Sequence, residues 1–163
     1  MQFLDKISRF LNMVLVLIGG VFLVGMIILT CGNIFSRLVW KPIPGTFELM
    51  GYSGAIVTAF ALGYTQMKRG HIAVDVLVDK FPSGVRTALN VLNSLVCLAF
   101  FVIASWQIAV KATTLMNTGE VTETLRIIYY PFTYAVAAGC AALSLVLLID
   151  LLKSVFPEKE GEN

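Results

Sequence analysis

Four stretches of this chain carry no charged residue, and each is long enough to cross a bilayer. They run over residues 10–36, 49–67, 87–110 and 127–149, with lengths of 27, 19, 24 and 23 residues. About 20 apolar residues span a hydrocarbon core of roughly 30 Å. Backbone polar groups in lipid must be satisfied within the segment, which leaves the α-helix as the form for each run. The pattern predicts an all-α integral membrane protein with four transmembrane helices. Composition agrees: 58% of residues are hydrophobic, 13% are charged and the mean hydropathy is +0.84. Soluble domains carry about twice that charge.

The first run is too long for a secretory leader, whose apolar core is about 7–15 residues, and no small-residue cleavage site closes it. Residues 1–9 mix Phe3, Leu4 and Ile7 with Lys6 and Arg9, which reads as a brief interfacial lead-in. The connection 37–48 holds Arg37, Trp40, Pro42, Pro44 and Gly45, so it cannot be continuous helix. Thr46 is expected to cap the second helix, with Glu48 in its first turn. In that helix Gly51, Ala55, Ala59 and Gly63 recur every four residues, a small-residue stripe of the kind that lets helices approach closely.

The second helix runs into Lys68-Arg69-Gly70, and HIAVDVLVDKFP follows. At about 100° per residue, His71, Asp75 and Asp79 share one wedge while the apolar residues fill the rest. The spacing predicts a short interfacial amphipathic helix over 71–81, ended by Pro82, with a β-strand as the minor alternative because valine is β-branched and some positions alternate. The wedge is read either as a wet face or as a contact for a partner. One histidine in the whole chain argues against a metal site. Lys68 and Arg69 read as topology determinants that touch lipid headgroups. Asn90 and Asn93 open the third run and are candidates for bonds across helices. The 111–126 stretch reads as a polar loop, and 150–163 as a polar tail. In the fourth run Tyr129, Tyr130 and Tyr134 form an interface belt, and Ala135, Ala138, Gly139 and Ala142 make a second small stripe.

Four spans place both ends and the 68–86 segment on one side. That side carries eight Lys and Arg, the other four. Positive charge favours the cytoplasm, so both termini are expected inside.

The spans contain no Asp, Glu, Lys, Arg or His. Ion-coupled carriers and proton relays place ionisable groups there. Four-span multidrug pumps, similar in length, rely on a membrane-embedded carboxylate that this chain lacks. The three cysteines, Cys31, Cys97 and Cys140, are far apart in apolar runs, without redox or metal spacing. No Walker-type phosphate loop is present, and the net charge of +2 gives no reason to expect nucleic acid. The residues describe a non-enzymatic subunit that packs on something larger.

The motifs then become recognisable. Arg37, Pro44-Gly45, Glu48, Gly63, Lys68-Arg69-Gly70 and His71-Ile72-Ala73-Val74-Asp75 resemble the small integral-membrane subunit of tripartite ATP-independent periplasmic (TRAP) transporters. The likeness covers nearly the whole chain and is strongest from Arg37 to Leu77. It implies a sodium-driven importer of organic anions, carboxylates such as C4-dicarboxylates or sialic acids. Its partners would be a large multi-span elevator-type subunit, a periplasmic substrate-binding protein and membrane lipids, in a bacterial inner membrane. This chain would brace the large subunit and hold no cofactor of its own, with sodium bound by the large subunit. The contact candidates are Arg37, Glu48, Gly51, Ala55, Ala59, Gly63, Lys68, Arg69, His71 and Asp75. Arg37 and Glu48 are expected to pair, or one of them to touch a partner. Two other readings stay open: a four-span accessory subunit of another membrane complex, and an independent small transporter.

Overall fold

Helices in this chain run well past the apolar stretches that announce them. A computed structural model describes residues 2–68 and 83–155, and its described residues form α1 (Gln2–Val39), α2 (Thr46–Met67), α3 (Ser83–Thr118) and α4 (Tyr130–Val155). The predicted interfacial helix over 71–81, with Arg69, His71, Asp75 and Asp79, lies outside the described residues, as does the end of the tail.

At 1.5 Å per residue, the 38 residues of α1 extend about 57 Å and the 36 of α3 about 54 Å. Both exceed a 30 Å hydrocarbon core. The residues read as a lead-in belong to α1, which is continuous from Gln2. Charges such as Asp5, Lys6 and Arg9 end an apolar run without ending a helix. The polar loop expected from Lys111 likewise gives its first eight residues to α3. That helix stops at Gly119, whose φ of 65° suits glycine and whose amide donates to the Leu115 carbonyl at 3.1 Å. The fourth helix begins at Tyr130, not Ile127, because Ile128 is held in an antiparallel bridge with Val121. Pro131, in its first turn, loses no intrahelical bond there.

Among the described residues, three segments are long and apolar enough to cross a membrane: Leu4–Val39, Val91–Thr118 and Tyr130–Lys153. Helix α2 is long enough, at 22 residues, but less apolar, since Ser53, Thr58, Thr65, Gln66 and three glycines interrupt it. Its neighbours account for this. Helix α2 packs between α1 and α4, while α4 packs between α2 and α3. A cluster of Ile56, Ala59 and Phe60 on α2 is covered by Leu15 and Phe22 from α1 and by Phe132, Ala135 and Val136 from α4. The inner helix meets protein on two sides and needs close fit more than apolarity.

Burial is uneven along the row. Half of the apolar window of α4 is buried, against 11% for α1 and 6% for α3. Phe10, Leu17 and Val24, with Val21, Ile28 and Phe35 interleaved, stand exposed along α1. In lipid such a face carries no hydration penalty, so it stays available to acyl chains or to a larger membrane partner.

Candidate functional site

The α2 stripe does not face one way. Each four-residue step turns about 400°, some 40° more than a full turn, so the stripe winds by about 120° from Gly51 to Gly63. Gly51 and Ala55 are exposed, whereas Ala59 and Gly63 are buried. A Cβ added at Gly51 would meet nothing within 4 Å. One added at Gly139 of α4 would stand 2.7 Å from the Ala59 carbonyl oxygen. Gly54 faces Met26 of α1, whose Cε lies 3.6 Å from the position of a Cβ. The lower half of the stripe fastens α2 to its neighbours, and the upper half is open. The second stripe divides similarly, with Gly139 and Ala142 buried and Ala138 exposed.

Gly63 serves a residue that the charge-free pattern conceals. Asn12 of α1 is fully buried, and its Nδ2 donates to the Ser8 carbonyl at 2.9 Å. Its Oδ1 fills the space that a side chain at Gly63 would need, and has no conventional donor among the described residues. Contact with the glycine Cα–H is the weak bond left to it. A polar residue inside the first run, four after Ser8, was the available signal.

At the opposite end two loops are tied over the helix ends. The Glu48 carboxylate accepts the backbone N–H of Thr124 at 2.6 Å and of Leu125 at 3.1 Å. Partial burial pushes this carboxyl up, but the loop hydrogen bonds outweigh it and hold the group below its ordinary range. The expected Arg37–Glu48 pair is not formed. Arg37 stands exposed in the last turn of α1, where it complements the carbonyl end of that helix. Two amides presented together by the 119–129 loop take the carboxylate instead. Thr46 is also corrected: α2 is capped by Gly45 at φ 73°, and the Thr46 hydroxyl donates to the Ile43 carbonyl at 2.8 Å. A side chain at Gly45 would overlap Leu125, so the capping turn and the loop interlock.

The 40–45 connection is anchored in turn by α1. Asn33 Oδ1 accepts the Ile43 amide at 2.8 Å, and Ser36 donates to the Lys41 carbonyl at 2.6 Å. Tyr129 stacks on Tyr52 at 5.4 Å, and its hydroxyl donates to Glu120 at 2.7 Å. That bond pushes the Tyr129 hydroxyl up to about 12. Two tyrosines of the belt are thus engaged by protein, since Tyr134 also shares a hydrogen bond with Thr113 at 2.8 Å.

Where α1 begins and α4 ends, polar groups join the helices. Lys153 pairs with Asp5 at 2.8 Å, and Gln66 donates to Asp150 at 3.1 Å. Lys68 is exposed, with its Nζ 5.9 Å from the centre of the Tyr64 ring. Among the described residues Asn93 receives only a long 3.8 Å contact from Cys97 on its own helix. Among the described residues no group of three His, Cys, Asp or Glu could hold a metal, and the cysteines are free thiols.

These bonds hold helices and loops to one another, and among the described residues none assembles a nucleophile with a base. Residues 26–156 match the family described as tripartite ATP-independent periplasmic transporters, DctQ component. No curated relative matches the chain.

Proposed function

The chain belongs to the DctQ-component family of tripartite ATP-independent periplasmic transporters, and we propose that within such a transporter it is the static brace. On this reading all four helices cross the bacterial inner membrane, with α2 shielded between α1 and α4 and both termini cytoplasmic. The large multi-span subunit binds sodium and carries an organic anion delivered by a periplasmic binding protein. This chain holds no cofactor.

The observation that carries the reading is where its polar groups are spent. Glu48, Gln66, Asp5 and Lys153 all bond within the chain, tying helix to helix or loop to helix, while Asn12 bonds to Ser8 of its own helix and packs against Gly63. A part meant to move substrate keeps such groups for the substrate or ion. A brace uses them to stay rigid and presents an apolar outer face, as α1 does.

Uptake into proteoliposomes tests the proposal. With a sodium gradient, carboxylate accumulation is expected only when this chain, the large subunit and the binding protein are all present. Accumulation by this chain alone would contradict it. A reporter enzyme active only outside the cytoplasm, fused after Asn163, is expected to stay silent.

A further inference from the structure

A cavity of about 590 Å³ opens where α1 begins and α4 ends, walled by α1, α2 and α4. All three helices line it with the same polarity. On α1, Arg9 is followed by Met13 and Leu17; on α4, Lys153 is preceded by Ile149 and Val146; on α2, Lys68 is preceded by Tyr64. Each cation thus sits at the rim, with an apolar or aromatic residue one helical turn, about 6 Å, further in. Two carboxylates share the rim and are engaged: Asp5 by Lys153 at 2.8 Å, and Asp150 by Gln66 at 3.1 Å. Among the described residues no carboxylate holds Arg9 or Lys68.

A soluble anion would use the rim and leave the wall unused. A hydrocarbon would use the wall and leave two cations facing it. An anionic head on an acyl chain satisfies both. We propose that this cavity binds an anionic phospholipid, with its phosphate between Arg9 and Lys68 and an acyl chain along Met13 and Leu17. The volume is in the range of small-ligand pockets and admits a glycerophosphate head with the upper part of one chain. Arginine offers a planar fork to two phosphate oxygens and lysine a point charge, so together they favour a phosphodiester head of net negative charge over a zwitterionic one with its own ammonium. The site depends on the membrane setting of the helices, and not on which anion is imported.

Native mass spectrometry of the full chain in mild detergent, titrated with phosphatidylglycerol or phosphatidylcholine, reads this directly. One phosphatidylglycerol is expected to be retained in preference to phosphatidylcholine. Arg9→Gln and Lys68→Gln together should weaken it about 25-fold, near fivefold per charge. Lys41→Gln with Lys111→Gln, at the other end, should leave it unchanged. Equal retention of the two lipids, or an Arg9→Gln/Lys68→Gln protein that binds like the parent, overturns the proposal. So does displacement by millimolar inorganic phosphate, which would make this a site for the free ion. Should the double variant fail to fold, Met13→Trp in a Trp40→Phe/Trp106→Phe background keeps both rim cations. Its fluorescence should be quenched more by brominated phosphatidylglycerol than by brominated phosphatidylcholine, and equal quenching overturns the site.

Discussion

Gly139 lies against the backbone of Ala59, so close that a Cβ on the glycine would stand 2.7 Å from the Ala59 carbonyl oxygen. This crossing joins α2 to α4 at the centre of the helix row, and neither backbone has a flexible side-chain end there to yield. Gly139→Val is expected to push the helices apart and destabilise the purified chain by about 1–3 kcal/mol, the usual range for overpacking. Thermal unfolding in detergent measures it. Gly51→Ala is the contrast. Its Cβ meets nothing within 4 Å, so stability should hold or rise by up to about 1 kcal/mol through helix propensity.

Asn12 and Gly63 should behave as one unit. Gly63→Ala displaces the Asn12 side chain from a site where it is fully buried, and a loss of about 1–3 kcal/mol is expected. Asn12→Ala removes the obstruction, so the double variant should recover much of that loss. A double-mutant cycle by thermal unfolding gives the coupling, expected to be about 0.5–3 kcal/mol for residues in contact. Simple additivity would mean the two do not meet.

Glu48 predicts a pH effect with a definite sign. Its carboxyl is held below the ordinary range by the loop amides that outweigh its partial burial. A depressed folded value contributes stability that is full above the ordinary glutamate range and lost as pH falls through the folded value. Hydrogen exchange at the amides of Thr124 and Leu125, taken relative to the intrinsic rate at each pH, should therefore be slow near neutrality and quicken several-fold in acid. Glu48→Gln should quicken it at neutral pH. Protection unchanged in Glu48→Gln would remove the carboxylate from its place as loop anchor.

The Asp5–Lys153 pair should matter little on its own. Both side chains are partly exposed, and such pairs contribute about 0.2–1 kcal/mol, less in high salt. Asp5→Asn is expected to shift thermal unfolding slightly and to lose that effect in concentrated salt.

The four apolar runs make the helical class legible, because lipid leaves the backbone few alternatives. Helix ends were less so. Lys111 ended a hydropathy run while α3 went on to Thr118, since a charge at the water boundary is compatible with helix. The small stripe of α2 was visible as a packing device, but its division was not. The 40° drift per step puts Ala59 and Gly63 on protein and leaves Gly51 and Ala55 open. Glu48 stands out in the sequence, but its loop partners do not, because the amides it accepts come from a loop 76 residues away. Asn12 carries no signal of its role in the sequence beyond its polarity, since only the approach of Gly63 gives it one. Lys68 stands exposed, while Arg69, His71 and Asp75 fall outside the described residues.

Purification through an affinity tag on this chain, in mild detergent, tests the central claim most directly. If the chain is the brace of a tripartite transporter, it should bring down a companion of about twelve spans, and α1 variants that place charges along the Phe10–Leu17–Val24 face should release that companion while remaining folded. Recovery of this chain only with itself, in a form that transports alone, or with a complex carrying redox cofactors, would contradict the account.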